Sequence, residues 1–123
     1  KFVDDFLSDN RKVDIISVNN LFANIDNVNS FTNYCNQLLN KDGFMIIESS
    51  YLFDMLDNNI FDFVYHEHLS YFSIIPLLNF MKQFGFELFD LKKSDSKGGS
   101  MRYIFKKGLV KENKIKRQSC TNR

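Results

Sequence analysis

The hydrophobic pattern changes period several times along the chain, and each change marks an element. Val13-Asp14-Ile15-Ile16-Ser17-Val18 is a short apolar run rich in β-branched residues. Such a run suits a strand buried on both faces of a parallel sheet. Asn19-Asn20 closes it with turn chemistry. Phe31, Tyr34, Cys35, Leu38 and Leu39 then recur on one helical face, which predicts a helix over about 29–40. Asn29 or Ser30 is its expected cap, and Asp42-Gly43 its expected stop. A second apolar run, Phe44-Met45-Ile46-Ile47, ends in Glu48. Strand, helix and strand with short connections make a βαβ unit, which implies parallel strands and a right-handed crossover.

Residues 51–60 predict a short helix or loop. Ser73 is positioned to cap a helix over about 74–84, with Pro76 tolerated in its first turn. Leu77, Phe80, Met81 and Phe84 form its buried face, and Gly85 ends it. Residues 86–91 and 101–105 read as two strands, and the short loop between them makes them antiparallel. The expected fold is a three-layer α/β sandwich: a partial Rossmann-like sheet of parallel strands with a crossover helix, closed by an antiparallel hairpin. Residues 1–107 form the expected domain and 108–123 a basic linker or tail. Residues 2–10 look like the end of a surface helix.

Composition adds little to this, but charge adds an asymmetry. The net charge is +1. From Lys92 onward there are eleven Lys or Arg against two acids, whereas residues 1–91 hold five bases and 13 acids. A basic end can bind nucleic acid, but no nucleic-acid motif accompanies it, so nucleic acid is not an expected partner. Cys35 and Cys120 form neither a metal-ligand spacing nor a disulfide framework. Cys35 falls on the apolar helix face, which predicts a buried thiol and a reducing compartment. No apolar run has transmembrane length, so the expected setting is cytoplasmic, away from membranes.

Ligands of open parallel sheets bind outside the carboxyl ends of the strands. Two such ends are legible here, Asn19-Asn20-Leu21-Phe22 and Glu48-Ser49-Ser50-Tyr51. The densest cluster is Tyr65-His66-Glu67-His68, which holds both histidines of the chain. Three readings stay open from local chemistry. His-x-His supplies two metal ligands, with no third nearby. The histidines could instead satisfy buried backbone groups. Or one is a general base, oriented by the neighbouring carboxylate among aromatic residues. The Gly98-Gly99-Ser100-Met101-Arg102 turn reads either as a hairpin or as an anion cradle.

The run Asp62–Ser73, DFVYHEHLSYFS, followed by GGSMRYIF from Gly98, closely resembles the sugar C-methyltransferase family of class I methyltransferases. Asp14–Ile25, DIISVNNLFANI, resembles the family's fourth strand and the loop after it, and residues 41–48 its fifth strand. The resemblance implies methyl transfer from S-adenosylmethionine to a ring carbon beside a ketone in a nucleotide-linked deoxy sugar, through a base-generated enolate. It implies His68 as the base, with Tyr65 and Glu67 beside it. It implies His66, Glu48 and Tyr51 around the sugar, and Asn19, Asn20, Leu21 and Phe22 beside the cofactor, with no metal. It also implies that the chain needs the N-terminal half of its domain, which carries the glycine-rich cofactor loop, and is inactive alone. Two departures stand out. Asn24 occupies a position where the family commonly has histidine, and Ser49-Ser50 precede Tyr51 where it usually has proline.

Overall fold

A computed structural model describes residues 4–5, 8–59, 69–95 and 99–108. Its elements are β1 (Val13–Asn19), a 3-10 turn (Phe22–Asn24), α1 (Val28–Leu38), β2 (Leu39–Ser50), α2 (Leu52–Asp57), α3 (Ile74–Lys82), β3 (Phe86–Ser94) and β4 (Ser100–Lys107). Asp4, Asp5 and Ser8 are helical, as the surface-helix reading expects.

The sheet order is β1-β2-β4-β3. β1 and β2 are parallel, joined through α1 as the βαβ reading expects. β3 and β4 are antiparallel, also as expected. β4 however inserts between β2 and β3 and runs antiparallel to β2, so the hairpin attaches by its second strand.

Both helix caps differ from expectation. Asn27, rather than Asn29 or Ser30, caps α1: its Oδ1 accepts from the Ser30 amide at 3.0 Å. The helix stops at Leu39, whose extended backbone donates back to the Cys35 carbonyl, before Asp42-Gly43 is reached. Lys12 and Lys107 both donate to the carbonyl end of α1, Lys107 Nζ reaching Asn36 O at 2.6 Å and Leu39 O at 3.0 Å. Cations there satisfy open carbonyls and complement the helix dipole. Ser73 does sit at the N-cap of α3, but its side chain makes no capping bond.

One core lies between the sheet and its helices. Val18, Met45, Ile47, Met101, Tyr103 and Phe105 from the sheet meet Phe22, Cys35, Leu77 and Met81. Leu77 and Met81 are buried on α3 as its periodicity expects, with Phe80 and Phe84 packed beside them. The opposite face carries Ile15, Phe44, Ile46, Phe89 and Ile104, none of which belongs to that core. Among the described residues the core lies on one face of the sheet. β1 is an edge strand, and Ile15 is 60% exposed rather than buried on both sides.

Cys35 is buried, and desolvation pushes its thiol from 9.0 up to about 11. Below pH 9 the thiol is neutral whether the chain is folded or unfolded. Between pH 9 and 11 the unfolded chain ionises first, so stability falls as pH rises through that window. Denaturant titrations of wild type and Cys35→Ala between pH 8 and 11 should show a steeper loss in wild type. Equal slopes would contradict the burial.

Candidate functional site

The carboxyl ends of β1 and β2 and the start of β4 meet at one edge of the sheet. Asn19 pairs in register with Glu48, and Glu48 with Arg102. Asn20 turns out of β1 in the left-handed region (φ 53°), and its amide donates to the Glu48 carbonyl at 2.8 Å. Asparagine tolerates that conformation better than most residues, which accounts for asparagine at position 20. Asn19, Asn20 and Leu21 face solvent there. Of the sequence-predicted residues, Asn19, Asn20, Leu21, Glu48 and Tyr51 are therefore brought to the same edge.

Phe22 behaves differently. Its ring is fully buried against Phe31, Phe72 and Phe80, with centroids 6.2, 5.2 and 6.4 Å away. Its side chain anchors the turn to the core and is not available to a ligand. The next residue, Ala23, accepts from the Leu69 and Ser70 amides at 2.8 and 3.1 Å. The segment that resumes at Leu69 is thereby clipped to the loop after β1. Tyr65, His66, Glu67 and His68 lie outside the described residues.

Glu48 is nearly buried, and its Oε2 accepts from Arg102 Nε at 2.8 Å and pairs with Arg102 Nη2 at 2.7 Å. The charge-assisted contact neutralises a carboxylate that would be expensive to bury alone. It also commits Arg102 to Glu48 rather than to a phosphate. Sequence reading singled out both residues but not their union, because they are 54 positions apart. Tyr51 begins α2. Its amide donates to Gly99 O at 3.2 Å, and Leu52 donates to Phe72 O at 3.0 Å.

Asp54 is a site residue that pattern reading missed. Its Oδ1 pairs with Lys93 Nζ at 2.8 Å, which holds the lysine pKa above its ordinary value, chiefly through that hydrogen bond. Its Oδ2 is buried without a hydrogen-bond partner. A Cβ on Gly99 would lie 2.7 Å from that oxygen, and Gly99 has φ +119°. The glycine thus admits a carboxylate, which argues against an anion cradle at Gly99. Gly99→Ala should destabilise by about 1–3 kcal/mol through strain and the displaced carboxylate. Urea unfolding measures this; a change under a few tenths would contradict the packing.

Among the described residues three further buried oxygens have no hydrogen-bond partner, Asn24 Oδ1 in the 3-10 turn, Thr32 Oγ1 in α1 and Tyr103 Oη in β4. Burial pushes the Tyr103 phenol well above its ordinary range. Among the described residues no group of three or more His, Cys, Asp or Glu could hold a metal ion. No described helix is long and apolar enough to cross a membrane.

No protein-family model matches the chain. The C-methyltransferase NovU of Streptomyces niveus is 38% identical over 80 residues, 65% of this chain and 19% of NovU. The chain therefore spans about a fifth of the length of that relative. Among solved structures, the M1.HpyAVI-SAM complex matches 89% of this chain and 52% of its own, with TM-score 0.55 and 16% identity. The magnesium protoporphyrin IX methyltransferase ChlM from Synechocystis PCC 6803, with bound SAH, matches 80% of this chain and 46% of its own, with TM-score 0.59 and 8% identity. The described residues thus share the Rossmann-like fold of these neighbours, and about half of each neighbouring chain has no counterpart in them.

Proposed function

We propose that this chain supplies the substrate and base side of an S-adenosylmethionine-dependent C-methyltransferase. The observation that carries the reading is its 38% identity with a C-methyltransferase over 80 residues. The polar edge around Asn19, Asn20, Glu48 and Tyr51 supports it, since parallel sheets bind ligands there.

The fit to the cofactor is partial. The exposed amides of Asn19 and Asn20, the apolar Leu21 and the unpartnered Asn24 oxygen suit one flank of a nucleoside. No glycine-rich phosphate-type loop follows β1. When bound, S-adenosylmethionine supplies an electrophilic methyl group on a sulfonium. The residues of this chain handle the substrate, a nucleotide-linked deoxy sugar with a ketone beside the acceptor carbon. His68 removes the proton from that carbon, and the electron pair moves onto the ketone oxygen. The carbon so activated would be the acceptor for the methyl group that the cofactor supplies when bound. Tyr65 and Glu67 orient the imidazole and the sugar. His66, Glu48 and Tyr51 line the sugar, with Glu48 held in place by Arg102.

A non-catalytic binding module of the same fold is the second reading. Asn24 favours it, because an amide on this turn cannot carry a proton. Calorimetry tests the division of labour. The isolated chain should show no saturable binding of S-adenosylmethionine at millimolar concentration. A chimera with the full chain in place of the matched segment of its C-methyltransferase relative should bind it. Saturable binding by the isolated chain, or none by the chimera, would contradict the reading.

A further inference from the structure

We propose that Tyr51, Phe53 and Lys93 form a sugar-ring subsite at the end of β2, with Asp54 as the residue that positions Lys93 in it. The two aromatic rings take the apolar face of a sugar, and the ammonium donates to one of its hydroxyls. The inference rests on the functional reading above and extends its sugar site to residues which that reading does not use.

The cluster is built where β2 ends. Tyr51 follows Ser50, the last residue of that strand, and α2 begins directly after it. Phe53 lies in the first turn of α2, and its ring centroid is 5.7 Å from that of Tyr51. Phe53 is 53% exposed. A phenylalanine in water forgoes the burial its ring could gain. At the ligand edge of a sheet it offers that surface to a ligand. Lys93 comes from the end of β3. Its Nζ meets Asp54 Oδ1 at 2.8 Å, and its side chain is 58% exposed where that of Asp54 is 12%. Asp54 thus sits behind the lysine and fixes an ammonium that carries three donor protons. The hydrogen bond to Asp54 is the chief reason the Lys93 pKa stands above its ordinary value, and Asp95 and the Tyr51 phenol add to it electrostatically. The Tyr51 ring is therefore flanked by the ammonium and by Phe53.

The charges select the ligand. Lys93 is balanced by Asp54 and Asp95, so the cluster has no surplus positive charge to attract a phosphate. A neutral hydroxyl suits it, because its oxygen accepts from the ammonium without a charge of its own. Sugar rings present apolar C–H faces and hydroxyls together. Tyr51 and Phe53 match the first, and Lys93 the second. The cofactor is the poorer occupant, since its sulfonium is repelled by a lysine and its flank is the turn after β1. Two rings of the substrate carry the matching chemistry, the keto-deoxy sugar and the furanose of the nucleotide.

Calorimetry with the chimera reads the subsite, using a nucleotide-linked keto-deoxy sugar, its free nucleoside diphosphate and S-adenosylmethionine. Phe53→Ala removes a ring that is mostly in water. Lys93→Gln removes the charge and keeps a donor for Asp54. Each should raise the Kd of the nucleotide-linked sugar about tenfold. Each should leave the Kd of S-adenosylmethionine unchanged and move the melting temperature by no more than about 2 °C. Tyr34→Ala, on the exposed flank of α1, is the control that moves none of these. A loss confined to the whole substrate upholds the subsite and assigns it to the deoxy sugar. A matching loss for the free nucleoside diphosphate upholds it and assigns it to the furanose. Unchanged sugar binding in either variant overturns the proposal and leaves the functional reading standing. So does an equal loss of S-adenosylmethionine binding, or a larger fall in melting temperature, because the residues would then be structural. A wild-type chimera that binds S-adenosylmethionine but no nucleotide-linked sugar defeats the functional reading and the subsite with it.

Discussion

His68→Ala in the chimera is expected to lower kcat by about 10²–10⁴-fold, the usual contribution of a positioned general base. The carbon acid beside a ketone loses its proton slowly in water, so turnover depends on a group poised near neutral pH, and an imidazole meets that requirement. A merely structural histidine would affect stability and leave a different kinetic signature. The separating measurement is exchange of the substrate's α-proton with deuterated solvent in the absence of S-adenosylmethionine. The wild-type chimera should exchange it and the His68→Ala chimera should not, with both melting at similar temperatures. Exchange retained in the variant would remove His68 as the base and leave Glu67 or Tyr65 as the candidate.

Phe22→Ala is expected to cost about 3–5 kcal/mol, as truncations of fully buried aromatic residues do. The ring packs against Phe31 of α1, Phe72 and Phe80 of α3, so one deletion opens a cavity where both helices meet the turn after β1. A domain of this size has a total stability of about 5–15 kcal/mol, so much of it would be lost. Urea unfolding measures the effect, and Phe22→Leu should restore more than half of it. The consequence for the site is specific. Ala23, whose carbonyl holds the Leu69 and Ser70 amides, is the next residue. Hydrogen exchange at Leu69 and Ser70 should therefore accelerate in Phe22→Ala more than at Ile47 in the sheet centre. A loss below 1 kcal/mol, or uniform exchange, would contradict the link between core and site.

The fold was legible where its signals are local. The β-branched run ending at Val18 and the helical face of Phe31 and Cys35 specify β1 and α1 with small boundary errors, whereas the run through Ile47 marks only the centre of β2, which begins at Leu39. Caps were less legible. Whether Asn27 or Ser30 closes the helix depends on one residue's backbone angles, and both types can do it. The placement of β4 beside β2 was not legible, because alternation within a strand does not name a pairing partner fifty or more residues away. The Glu48–Arg102 pair follows from that placement, and so does the approach of Asp54 to Gly99. Exposure of Ile15 was misjudged for a related reason. Its sequence reads as an interior strand, and the described residues place it at an edge. The candidate site divides in the same way. Asn19, Asn20, Glu48 and Tyr51 were located by strand ends, whereas Phe22 was chosen by position although its ring belongs to the core. The role of Tyr65-His66-Glu67-His68 rests on likeness and chemistry, since the motif lies outside the described residues.

The most direct test of C-methyl transfer is carbon NMR of the product formed by the chimera from S-adenosylmethionine carrying a ¹³C-methyl group and a nucleotide-linked keto-deoxy sugar. The account predicts a labelled methyl with one-bond coupling to the ring carbon beside the ketone. A labelled methyl on oxygen or nitrogen, or no transfer by a folded chimera that binds both ligands, would contradict it.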